Sequence, residues 1–107
     1  MPSPDAIALE QLAKSGSDLT KLHHIDFTLH FPSQFSAQRA ELQLTALAFL
    51  DINVEKGKSG NDWIIHGWKR MYPVESDLQG LRDKLELIAA EGHGRYDGWK
   101  AKAISQP

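Results

Sequence analysis

From His23 to Phe31 the sequence alternates, with Ile25, Phe27, Leu29 and Phe31 on one side and His24, Asp26, Thr28 and His30 on the other. A period of two places successive side chains on opposite faces of a β-strand. The chain must therefore build a sheet with one apolar face and one largely polar face. An apolar sheet face has to be covered by a second layer, and the remaining sequence supplies helices for it.

Ser3-Pro4-Asp5 reads as a helix start: the serine oxygen caps a free amide, proline tolerates the first helical position, and aspartate faces the positive dipole end. Ile7, Leu9, Leu12 and Ala13 follow at helical spacing, and Lys14 with Gly16 supplies the stop. After the alternating strand, Pro32 ends it, Ser33 or Ser36 caps a second helix, and Ala37, Ala40, Leu44, Leu47 and Ala48 carry that helix through about Leu50. Leu42, Ala46 and Phe49 widen its apolar stripe, which predicts a largely covered helix. Ile52 and Val54 mark a short strand, Gly57 to Asn61 a hairpin loop, and Trp63 to Met71 the returning strand. Val74, Leu78, Leu81, Leu85 and Ile88 then define a third helix, closed by Gly92 to Gly94, and Arg95 to Trp99 reads as a last strand.

The order helix, strand, helix, strand, strand, helix, strand predicts an α+β fold of the ferredoxin-like (split βαβ) type. It is a two-layer sandwich with an extra N-terminal helix. Residues 1–18 form the helical extension, 19–102 the sandwich domain and 103–107 a C-terminal tail. Phe31-Pro32 and Tyr72-Pro73, 41 residues apart, suggest a weak internal repeat at the strand-to-helix junctions. For the strand from Trp63 to Met71 two orientations compete. Gly67 suits close approach of a helix, which turns Trp63 and Ile65 inward and His66, Trp68 and Arg70 outward. The repeat instead carries His66 and Trp68 into the core. The first is preferred because Trp68 and Arg70 then share an accessible face.

Composition removes several functions. There is no cysteine, so disulfides, thiolate metal sites and thiol nucleophiles are excluded. Twelve basic side chains against 14 acidic ones give a net charge of −2, which offers no global field for nucleic acid. No apolar run is long enough to span a membrane, and the first residues lack the pattern of a signal peptide, so a cytoplasmic location is expected. His24, Asp26 and His30 share a strand face, with His66 on the neighbouring strand, but same-face positions lie about 6.6–6.8 Å apart and His24 is three such steps from His30. That is too far for both to hold one ion, so no metal or other cofactor is expected. The serines are explained by caps and turns, and Gly57-Lys58-Ser59-Gly60 lacks the upstream glycine of a phosphate loop.

Two binding functions remain. Trp68, Lys69, Arg70 and Tyr96 are residue types that stack and pair with RNA on an open sheet face, although the aromatic-rich strand motif of the common RNA-recognition domain is absent. The strongest local signal is Gly94-Arg95-Tyr96-Asp97-Gly98-Trp99. Its Asp-Gly step suggests a β-bulge, and its aromatics either close the core or form a contact patch for a protein partner.

Tyr96-Asp97-Gly98-Trp99 after Leu85 to Gly94, together with Trp63-Ile64-Ile65, Pro73, Gly16-Ser17-Asp18 and His30-Phe31-Pro32, resembles the regulator of ribonuclease E activity B family over roughly residues 6–100. The resemblance implies a ferredoxin-like fold with a helical N-terminal extension. It also implies a cytoplasmic bacterial protein that binds ribonuclease E or a related RNA-processing enzyme, inhibits RNA cleavage and alters what assembles on the enzyme's scaffold region. Such a protein acts by stoichiometric binding and not by catalysis. Lys100, Lys102 and Pro107 follow Trp99 where relatives carry an acidic tail, so contacts through such a tail are not carried over. The residues expected to meet the partner are Tyr96, Asp97, Gly98, Trp99, Trp68, Arg70 and His66. A homodimer through the open sheet face competes with this partner.

Overall fold

The computed structural model describes residues 3–58 and 62–104. Three helices and four strands follow in the order α1 (Pro4–Lys14), β1 (His23–Phe31), α2 (Gln34–Ala46), β2 (Leu50–Lys56), β3 (Trp63–Met71), α3 (Glu75–Glu91) and β4 (Arg95–Ala101). The strands form one antiparallel sheet in the order β2-β3-β1-β4. β1 is thus an inner strand, bonded on both sides, and its alternation governs both faces. Ile25, Phe27, Leu29 and Phe31 are fully buried with Ala37, Ala40 and Leu44 of α2 and Leu78, Leu85 and Ile88 of α3. Removing four such side chains from water contributes about 1.5–3 kcal/mol each, as an upper bound.

The start of α1 follows the sequence closely: Ser3 Oγ accepts the Ala6 amide at 3.1 Å and Pro4 opens the helix. This helix packs against α3, on the same side of the sheet as α2, and leaves the polar face uncovered. The turn after it is clasped to the segment after β4. The Asp18 amide donates to the Ile104 carbonyl at 2.7 Å, and Ser17 Oγ accepts the Ile104 amide at 2.9 Å. Ser17 Oγ also lies 2.6 Å from Nε2 of the buried His23, whose Nδ1 lies 2.8 Å from the Lys21 carbonyl. The network assigns the tautomer: Nδ1–H donates to Lys21 and Nε2 accepts the Ser17 hydroxyl proton.

Three expectations are corrected. α2 ends at Ala46 and not near Leu50, because Ala48 takes a left-handed conformation (φ 66) and reverses the chain. The Phe49 amide returns to the Leu44 carbonyl and the Ala48 amide to Thr45, which satisfies the last turn. The chain then continues as β2, longer than Ile52 and Val54 alone imply. α2 is also not largely covered: Leu42 is 72% and Phe35 69% exposed, because only one helix face meets the sheet. Finally, the repeat misplaces β3. Phe31 and Met71 both end their strands facing inward, but Tyr72 intervenes before Pro73, so the equivalence is off by one residue and every side chain changes face. Trp63, Ile65 and Gly67 point to the helices and His66, Trp68 and Arg70 away from them, the orientation preferred from the sequence. The space above Gly67 is filled by Phe49 and Ile52, not by a helix backbone.

The expected hairpin loop from Gly57 to Asn61 falls partly on residues 59–61, outside the described residues. At its base the Gly57 amide donates to the Asp62 carbonyl at 2.6 Å.

The left-handed alanine gives a test. A β-carbon in that conformation costs roughly 1–2 kcal/mol, which glycine avoids at a smaller entropic cost. Ala48→Gly is expected to stabilise the protein by about 0.5–1 kcal/mol, read as a higher urea midpoint with an unchanged slope.

Candidate docking face

The side of the sheet turned away from the helices is built by cross-strand rows that follow from the register. One row runs Glu55, Ile64, His30, Arg95 from edge to edge, and another runs Trp68, Asp26, Lys100, its β2 partner Leu50 lying beyond a slip in the pairing and lining a groove beside α3. Between them lie Asn53, His66 and Thr28. Thr28 is opposed on β4 by two residues, Asp97 and Gly98, because the pairing slips between Phe27↔Trp99 and Leu29↔Tyr96. This is the bulge that the Asp-Gly step suggests, and Gly98 meets its geometry with a φ of +91.

Hydrogen bonds tie the polar side chains of this face together. Trp68 Nε1 donates to Asp51 at 2.8 Å, and its ring stacks on His24 at 3.9 Å with an interplanar angle of 12°. His24 in turn contacts Asp26 at 3.1 Å. His66 Nε2 donates to Glu55 at 3.0 Å while Nδ1 faces the Thr28 hydroxyl at 3.2 Å, so the threonine donates to it. His30 lies between two carboxylates, with Nδ1 2.8 Å from Asp62 and Nε2 3.1 Å from Asp97. Both contacts are donor bonds only in the doubly protonated ring. These bonds span β2, β3, β1 and β4 and hold the side chains of the face in place. Among the described residues no group of three or more histidines and carboxylates is arranged to hold a metal ion.

The structure separates the residues expected to meet a partner. His66, Trp68, Arg70 and Asp97 share the open face. Tyr96 and Trp99 do not: they pair with Leu29 and Phe27 on the helix side and pack against the core. Three residues apart on a regular strand, they would face opposite ways. The bulge turns both inward. Of the four residues weighed for RNA binding, only Trp68 and Arg70 lie on the open face, since Lys69 pairs with Ile25 and reaches over the Phe49 ring.

What Trp99 does instead is not legible in the sequence. Its Nε1 donates to Asp5 Oδ1 at 3.0 Å, and Arg82 donates to both Asp5 oxygens at 2.9 and 3.0 Å. The Arg82 guanidinium also lies 5.1 Å from the Tyr96 ring centre. Asp5 is wholly buried. Burial pushes its carboxyl up, but the hydrogen bonds from Arg82 and Trp99 and the charge of Arg82 outweigh that and hold it below the ordinary carboxylate value. Burial raises the Tyr96 phenol, and the bond to Asp5 raises the Arg82 guanidinium. These groups weld α1 to α3 and β4.

The model of the family described as regulator of ribonuclease activity B, RraB, matches residues 5–101, beginning at this buried aspartate and ending with β4. The chain belongs to the RraB family. Comparison with curated proteins found no match. RraB proteins are by that description regulators of ribonuclease activity, so this chain belongs to a family of regulators of RNA metabolism. No helix among the described residues is long and apolar enough to cross a membrane.

Two outcomes check this division of the sheet. Asp5→Ala strands a partly buried guanidinium and is expected to cost about 2–4 kcal/mol, below the top of the range for a broken buried pair because Arg82 keeps some contact with water. Since the folded carboxyl titrates below its unfolded value of about 4, the wild-type advantage is full above that pH. It fades as the pH falls through the folded value, and denaturant unfolding of both proteins across that range measures it. Trp99→Ala is expected to cost about 3 kcal/mol and Trp68→Ala no more than about 1.5 kcal/mol. Equal losses would contradict the assignment of the two tryptophans to opposite faces.

Proposed function

We propose that this chain binds ribonuclease E, or a related RNA-processing enzyme, as a stoichiometric protein partner and lowers its cleavage of RNA. The observation that carries the reading is the match to the RraB family over residues 5–101. The strand order β2-β3-β1-β4, with α2 and α3 on one side, supports a ferredoxin-like scaffold whose other side is free for a partner. Regulation is then by occupancy and not by turnover, in the bacterial cytoplasm where the target works.

In this proposal Trp68, Arg70, His66 and Asp97 make the contacts. Tyr96, Gly98 and Trp99 act from behind, by shaping the bulge that presents Asp97. Tryptophan and arginine are the residue types that most often dominate binding energy, and Trp68 is already held by Asp51 and His24. Direct RNA binding has less support. The Trp68 ring is stacked by His24, and the carboxylates of Asp26, Asp51, Glu55, Asp62 and Asp97 on this face repel phosphate.

Calorimetric titration with purified ribonuclease E, paired with an RNA-cleavage assay, tests the reading. Binding near one-to-one with slowed cleavage is expected, and Trp68→Ala with Arg70→Ala should weaken it at least about tenfold. An absence of association together with unchanged cleavage sinks the proposal.

A further inference from the structure

The charges of the open face are not spread evenly. Its β2 side carries Asp51 and Glu55, which accept hydrogen bonds from Trp68 and His66 and from no lysine or arginine among the described residues. Its β4 side carries Arg95 and Lys100, which form no ion pair among the described residues, and between them Asp97, whose carboxylate faces His30 of the same copy. The two kinds of charge lie at matching heights. Glu55 and Arg95 end one row across the sheet, while Asp51 lies beside Trp68 in the row that Lys100 ends.

This arrangement is complementary to itself. A twofold axis parallel to the strands, midway between β3 and β1, lays β2 of one copy over β4 of the other without shifting any residue along the strand. Each Glu55 then meets an Arg95 and each Asp51 a Lys100, twice over, as a twofold interface requires. Ile64 and Trp68, near the middle of the face, lose water in the same step. Turning the axis by a right angle would instead set β2 on β2, acid against acid. We infer that this open sheet face is a self-association surface, on which a second copy of the chain packs sheet to sheet with strands aligned.

The size of the face sets the strength. Four strands about 4.8 Å apart and nine residues of β1 at about 3.3 Å each give roughly 500–600 Å² per copy. A standard stable interface takes about 800 Å² per partner. The pair is therefore weak and reversible, and it competes for the face with any ribonuclease that docks there. Only that competition rests on the proposed function; the pairing itself does not.

Charge exchange tests it. Sedimentation of the full chain over a range of concentrations is expected to show a monomer–dimer equilibrium that weakens with salt. Glu55→Arg and Arg95→Glu should each raise the dissociation constant about tenfold or more. Mixing the two variants one-to-one should recover association. The arginine introduced in the first variant then faces the glutamate introduced in the second, while the native Arg95 of the first meets the native Glu55 of the second. Both positions are exposed, and circular dichroism confirms that the variants fold. A chain that stays monomeric at every concentration overturns the inference, as does a dimer indifferent to both reversals or a mixture that recovers nothing. Ribonuclease binding by a strictly monomeric chain would leave the proposed function standing and remove this one. Self-association without ribonuclease binding would do the reverse.

Discussion

A four-stranded sheet has two faces, and the described residues supply helices for only one. That shortage shapes everything else. Because α2 and α3 lie on the same side and α1 joins them there, the apolar residues of β1 and β3 must point one way and every other position must be compatible with water. The apolar side is filled by ordinary packing, with Phe49 taking the room above Gly67 and meeting Phe27 edge to face at 5.2 Å. Among the described residues the other side has no such filler. Its side chains are held by each other.

The hydrogen bonds of that second face are largely of one kind: a ring nitrogen facing a carboxylate, as in His24 with Asp26, His66 with Glu55, Trp68 with Asp51, and His30 with Asp62 and Asp97. Exposed contacts of this sort add little stability. Their effect is on shape and charge. They fix the direction of the indole and imidazole rings without drawing a lysine or arginine of the described residues onto the carboxylates, so the face keeps both its form and its field.

Much of this is legible in the sequence because it depends on periodicity and local chemistry. The alternation in β1, the Ser3 cap of α1 and the Asp-Gly bulge are short-range features, and the structure contains all three. What the sequence hides depends on contacts made over long separations or on conformations unusual for their residue type. Asp5 reads as a dipole partner at a helix start, but it meets Arg82, 77 residues away. Ala48 and His93 close their helices in the left-handed region where glycine is the usual signal, so the end of α2 carries no local mark. One extra residue before Pro73 is enough to make an apparent repeat point the wrong way. The bulge itself can be read from the Asp-Gly step, yet its effect on Tyr96 and Trp99 cannot, because a local slip in pairing changes which distant residues share a side.

The clasp between Ser17, Asp18 and Ile104 joins parts of the chain that lie outside the sheet at its two extremities. His23, the first residue of β1, is buried beneath it and bonded to the same serine hydroxyl. Loosening either extremity therefore admits water to an imidazole at the mouth of the central strand, so fraying at one end of the fold is fraying at both.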